Sequence, residues 1–188
     1  MTEEQPLEWL NIFMIIHNVK EAVKVLLKNK PLVIFQKGAS EWGPRALGRR
    51  SILFDPRKED AKYIVNKFKG REYWRPTAGT VLLEHASKYF EMGSLKESPY
   101  MSFAIDAKER VKEEAPAIVH ADGTCRVQTL KKEDDPSYYN LINEFYLKTK
   151  VPIILNTSFN LAGFPIVESE NELQNIMKDT NFKDIYIP

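Results

Sequence analysis

Residues 41 to 57 read E-W-G-P-R-A-L-G-R-R-S-I-L-F-D-P-R, with four arginines, two glycines and two prolines around one short apolar run. Neither a helix nor a strand calls for that mix. A site for a phosphorylated or carboxylated ligand does. Arginine presents planar donors that grip anionic oxygens two at a time, and glycine lets a backbone approach an anion closely. Residues 37 to 75 hold eleven Lys or Arg against five acids, a local excess of six positive charges in a chain whose net charge is only +1. Such a concentration suits a small, highly charged anion, although a solvated basic face has the same composition. Gly43-x-x-x-x-Gly48 has P-loop spacing, but Arg49 and Arg50 stand where that motif needs Lys and then Ser or Thr. Pro44 also removes one amide donor from any such cradle.

Three further segments carry related chemistry. In K-G-R-E-Y-W-R-P, Lys69, Arg71 and Arg75 sit among Tyr73, Trp74 and Pro76. Rigid neighbours anchor a cation, and an anchored cation can be aimed at a ligand. Arg126 follows the turn Asp122-Gly123-Thr124 and opens a strand, where a structural ion pair and a ligand contact are both open readings. His120 precedes that turn as a secondary ligand contact. Ser158 and Asn160 lie just past a buried strand, where small polar groups are well placed to meet a ligand; a helix cap or Asx turn would use the same residues. Cys125 has Arg126 and His120 close in sequence, so a lowered thiol pKa is conceivable. His17, His85 and His120 show no metal-ligand spacing.

In their order along the chain, residues 41–57, Lys69–Pro76, His120–Thr129 and Ile154–Val167 resemble the C-terminal domain of the carbamoyltransferases that modify nodulation factors and aminoglycoside antibiotics. The likeness runs over roughly residues 20 to 188. It implies an α/β, YrdC-like fold: a twisted mixed sheet with flanking helices and a concave basic surface, as used in threonylcarbamoyladenylate synthesis and in hydrogenase maturation. It implies binding of ATP, with Mg²⁺ on the nucleotide, and of carbamoyl phosphate or derived carbamate, to form carbamoyladenylate. Carried over residue by residue, it implies catalytic roles for Lys69, Arg75 and Ser158. It implies ligand contacts for Arg45, Arg49, Arg71, His120, Arg126 and Asn160, and no metal ligand. The family often has alanine at Cys125 and a polar residue at Phe164. Its full-length members carry metal ligands and the transfer step in a preceding domain. The expectation is therefore a fragment or half of a split enzyme, partnered by a separate transferase domain or by self-association. A non-catalytic nucleotide-binding or regulatory module of the same fold is the reading from another class. RNA binding, with Tyr63, Tyr73 and Trp74 as stacking platforms, fits the balanced net charge poorly.

The elements that must position these residues fit one domain. At 188 residues, with 43% apolar and 28% charged content, the chain has the composition of a globular protein with one core. One cysteine allows no internal disulfide and fits a reducing cytoplasm. The apolar run Ile12–Ile16 is far short of the ~20 residues of a membrane span, and nothing global points to nucleic acid or a membrane. Residues 1–18 read as an N-terminal helical extension and candidate interface, and 19–188 as the domain. Helices are predicted over 7–28, 59–68, 136–148 and 170–177. Strands are predicted over 32–35, 52–54, 81–83, 101–105, 117–119, 126–130, 153–155 and 185–187. Mixed strands and helices without strict alternation suggest a mixed sheet.

Overall fold

The computed structural model describes residues 13–180 and 182–188. Among them, eight strands form one mixed sheet in the order β1-β8-β2-β3-β7-β4-β6-β5. The strands are β1 Met14–Ile16, β2 Leu32–Phe35, β3 Arg50–Phe54, β4 Ala78–Leu82, β5 Ala104–Asp106, β6 Thr124–Leu130, β7 Ile153–Ser158 and β8 Asp184–Tyr186. The helices are α1 Val19–Leu27, α2 Ala61–Phe68, α3 Leu83–Tyr89, α4 Glu109–Glu114, α5 Pro136–Thr149 and α6 Glu170–Asp179. β1, β8 and β2 run parallel, as do β4 and β6, and the remaining neighbours are antiparallel.

The central strands are apolar on both faces because both faces are covered. Val33, Phe35 and Ile52 pack with Leu173 and Met177 of α6, and alternate residues Leu32, Ile34 and Leu53 join the larger core with α1 and α5. Helix ends are written in the sequence. Asn18 Oδ1 accepts from the Lys20 and Glu21 amides to start α1. Asp135 Oδ1 accepts from the Tyr138 amide, with Pro136 at the first position of α5. Ser169 and Glu172 form a capping box on α6.

Several expectations are corrected. The helix expected over 7–28 is shorter: α1 starts at Val19, and Met14–Ile16 is an edge strand parallel to β8. The described part of the expected helical extension therefore belongs to the sheet, with Phe13 and Ile16 buried; residues 7–12 lie outside the described residues. A short apolar run has no period that separates strand from helix, and the partner of β1 lies at the far end of the chain. The apolar run 117–119 is no strand. Pro116–Ile118 is a 3₁₀ turn, and Ile118 lies on Gly79, where an added Cβ would come within 2.7 Å of it. The strand expected at 101–105 is only Ala104–Asp106, and α3 and α4 were not anticipated.

Candidate anion-binding site

The Arg-rich loop is organised around its own anion. Glu41 Oε1 accepts from the amides of Leu47 (2.7 Å), Arg49 (2.6 Å) and Arg50 (3.1 Å). The amide cradle that glycine spacing suggested for a ligand is thus filled by a side chain of the loop. Arg50 is buried and donates to the carbonyls of Gln36, Arg49, Gly38 and Glu168, with its guanidinium 3.8 Å over the Phe35 ring. Gly48, at φ +111°, presses against Tyr138, so a Cβ there would sit 2.2 Å from the ring. The clamped loop then crosses the sheet. Asn156 Nδ2 donates to the Ala46 carbonyl (3.2 Å) and Gln128 Nε2 to the Leu47 carbonyl (3.0 Å).

Beneath Pro44–Ala46 lies a cleft of about 110 Å³, lined also by Arg71, Pro76–Ala78, Met101, His120, Arg126 and Asn156–Ser158. Register explains its floor. Arg126 and Asn156 both pair with Ala78 from opposite sides, so all three project from one face, and the small alanine leaves a hollow between the longer side chains. The lining holds three arginines and a histidine and no carboxylate. Arg45 and Arg126 form no ion pair among the described residues. Burial, and then Arg126, pulls the Arg45 value down.

Lys69 caps the C-terminal end of α2, and Gly70, at φ +63°, turns the chain back. The buried Lys69 ammonium donates to Ser158 Oγ (3.0 Å), Asn160 Oδ1 (2.9 Å) and the Ser158 carbonyl. Burial first, then Arg71 and Arg75, lower its pKa to about 7. Burial and Arg75 likewise bring Arg71 to about 10. Arg71 Nε donates to Asn66 Oδ1 (2.5 Å), while its Nη2 is buried and unpartnered.

Of the nine residues singled out from sequence, Arg45, Arg71, His120, Arg126 and Ser158 line this cleft. Lys69 touches it through Ser158 and Asn160. Asn160 itself faces its own loop, donating to the carbonyls of Leu161 and Phe164. His120 has both ring nitrogens engaged, by Thr124 Oγ1 and the Thr77 carbonyl at 3.2 Å each, so it forms wall. Arg75 is half exposed and pairs with Glu72 at 3.0 Å, outside the lining. Arg49 is exposed, donates to the Ala39 carbonyl, and lines a second depression of about 420 Å³ with Trp42, Tyr100 and Gln128. Sequence reasoning missed Glu41, Asn156 and Asn66. Asn66 is buried on α2, and its Nδ2 donates to the carbonyls of Tyr73 and Arg75, holding the turn that aims Arg71. A lone polar residue beside Val65 on the buried face of α2 was the available signal. Among the described residues, no group of three His, Cys, Asp or Glu could hold a metal, and no helix is long and apolar enough to cross a membrane.

Comparison with known proteins identifies the family and the fold. A carbamoyltransferase C-terminus model matches residues 23–188. The nodulation protein NolO of Bradyrhizobium diazoefficiens is 42% identical over 148 residues, which cover 78% of this chain and 27% of that protein. Nodulation protein U of Rhizobium tropici is 38% identical over 146 residues, covering 78% and 25%. The chain thus spans about a quarter of the length of these relatives. Full-length HypF in its phosphate- and nucleotide-bound form superposes with a TM-score of 0.64 at 20% identity, over 91% of this chain and 24% of HypF. P. abyssi Sua5 complexed with L-threonine gives 0.60 at 11% identity, over 93% and 49%. These two likenesses establish a YrdC-like fold. With a family match running from the first helix to the last residue, the chain belongs to the carbamoyltransferase C-terminus family.

Proposed function

We propose that the cleft binds carbamoyl phosphate, or carbamate derived from it, together with the phosphates of ATP, and that the domain forms carbamoyladenylate. One observation carries the reading: an acid-free cleft lined by three arginines, one with a buried unpartnered N–H. Like charges are held together against their repulsion, and an anion is the natural counterweight. Family membership favours a carbamoyl substrate, and the phosphate and nucleotide bound to HypF favour a nucleotide partner.

At about 110 Å³ the cleft suits a small anion and is below the size of a nucleotide pocket. The base and ribose would lie in the depression on the far side of Ala46–Leu47, where Trp42 and Tyr100 are exposed. Glu97, Asp134 and Asp135 in that lining make it unsuitable for the triphosphate. Water first cleaves carbamoyl phosphate to carbamate and inorganic phosphate; a carbamate oxygen then attacks the α-phosphorus of ATP, the bond to the β-phosphate oxygen breaks, and pyrophosphate leaves. Arg45, Arg71 and Arg126 neutralise the developing charge and hold the reactants in line. Lys69 fixes Ser158 and Asn160 and stands ready to share its ammonium with a phosphate. The lining offers Mg²⁺ no carboxylate, so the ion would travel on nucleotide oxygens and no step is assigned to it. Transfer to an acceptor is left to a separate domain, and we place the reaction in the cytoplasm.

Pyrophosphate release from ATP and carbamoyl phosphate tests the reading, alongside calorimetric binding of each. Release that needs both substrates supports it. Binding without release leaves a nucleotide-binding module. Absence of binding by either overturns it.

A further inference from the structure

We infer that Asn156 reads the amino group of the carbamoyl substrate and so sets the cleft's choice among acyl phosphates. The inference rests on the reading of the cleft just given. Four buried side-chain polar atoms among the described residues have no partner, and two of them, Arg71 Nη2 and Asn156 Oδ1, belong to residues of this cleft. A buried polar atom without a partner is costly and rare, so each needs an explanation.

The orientation of the Asn156 amide is fixed by its neighbours. Its nitrogen donates to the Ala46 carbonyl, which can only accept, and to Thr80 Oγ1 at 3.1 Å. Thr80 Oγ1 takes the Tyr138 hydroxyl as well and donates to Gln128 Oε1. The nitrogen is thereby fully used, and Oδ1 is left as an acceptor in need of a donor. Asn156 is 1% exposed, so bulk water does not serve that oxygen.

The two orphans are opposite in kind. Arg71 Nη2 donates and seeks an anionic oxygen. Asn156 Oδ1 accepts and seeks an N–H or O–H. Sulfate, which carries no proton at neutral pH, satisfies only the first, and hydrogen phosphate can reach the second only by turning its single O–H toward Oδ1. A carbamoyl group joins phosphate or carboxylate oxygens to an NH₂ donor in one small molecule and satisfies both. Arg126 and Asn156 flank Ala78 on the strands either side of it, so their Cα atoms lie about 10 Å apart across the cleft floor. Acetyl phosphate has nearly the same shape but carries a methyl in place of the NH₂. Bound in the same pose, it would leave Oδ1 unsatisfied.

The test compares carbamoyl phosphate, acetyl phosphate and inorganic phosphate by calorimetry, without ATP, on the full chain and on Asn156→Leu. The wild-type chain should prefer carbamoyl over acetyl phosphate at least about tenfold, as sites built around a buried hydrogen bond do. Asn156→Leu should bring the two esters within about twofold of each other. Equal affinity of the wild-type chain for the two esters overturns the inference while the anion-site reading stands. That comparison needs no variant, so it decides even if Asn156→Leu fails to fold. A folded Asn156→Leu that keeps the preference also overturns it. If neither ester nor inorganic phosphate binds the wild-type chain, the anion-site reading and this inference fall together.

Discussion

The loop from Glu41 to Arg50 and the turn from Lys69 to Arg75 are both rich in arginine, and the structure uses them oppositely. In the loop, one carboxylate takes three amides, and Arg50 has four carbonyl acceptors and an aromatic face. Its charge is answered inside the protein. In the turn, Asn66 takes one edge of Arg71 and holds the backbone, while Nη2 is left over and the effect of Arg75 outweighs that of Glu72. An arginine whose two terminal nitrogens both bond to carbonyls builds shape, even with its buried Nε left over. One with a terminal nitrogen left over beside a second arginine is poised for a ligand.

Removing Arg50 should therefore have the largest effect, and on stability. In Arg50→Met several carbonyls lose a charged donor at once, and we expect a loss of about 3 kcal/mol or more. Urea unfolding should show a lower midpoint with an unchanged slope. A midpoint equal to wild type would mean that the loop does not depend on this clamp.

Arg71→Gln should do the reverse, leaving the midpoint nearly in place and weakening carbamoyl phosphate and ATP binding by about 10- to 100-fold, as one charged contact is worth about 1.5–3 kcal/mol. Arg75→Gln, at a solvated position paired with Glu72, should change affinity by less than about threefold. A larger loss at Arg75 than at Arg71 would reverse the order drawn from the cleft lining and favour the ranking that family resemblance suggests.

These residues differ in how readable they were from sequence. Lys69, Arg71 and Ser158 stand at the ends of elements with clear local patterns, α2 and β7, so their neighbourhood could be anticipated. Arg49 and Arg75 carry the same chemistry in the same motifs, but their direction depends on packing between distant segments. Asn156 directly follows the predicted strand 153–155 with no local pattern of its own; its partner Ala46 is 110 positions away. Glu41 is one of the five acids counted in residues 37 to 75, and a side chain filling an amide cradle leaves no periodic trace. The sheet's middle was legible from its apolar runs, whereas edge strand β1 depends on β8 at the other end of the chain.

Lys69 gives the comparison a pH signature. Its folded value, about 7, lies below its ordinary 10.5, so the unfolded chain holds the extra proton between those limits. This group thus makes the fold more stable as pH rises through that window. An anion bound beside it favours the ammonium, so binding takes up a proton above pH about 7 and affinity declines as pH rises. Sulfate, whose charge is constant there, is the probe, with proton uptake read from calorimetry in buffers of different ionisation enthalpy. Lys69→Met should flatten both trends. A wild-type sulfate affinity independent of pH from 7 to 9 would show that Lys69 does not sense the ligand.

Cys125 should matter least, although it adjoins Arg126 in sequence. Successive residues of a strand point to opposite faces, so Arg126 enters the cleft while Cys125 enters the core with Val127. Burial, reinforced by Asp122, pushes the thiol up to about 12, the wrong direction for a nucleophile. The Arg126 charge that made a reactive thiolate conceivable from sequence is thus directed away from it. Cys125→Ala should cost about 1 kcal/mol through a small cavity and leave carbamoyl phosphate affinity and pyrophosphate release unchanged. A maleimide should label the native chain slowly at pH 8 and the urea-unfolded chain fast. Rapid native labelling that also blocks anion binding would mean that β6 opens enough to bring the core face and the cleft face of the sheet into contact with the same solvent.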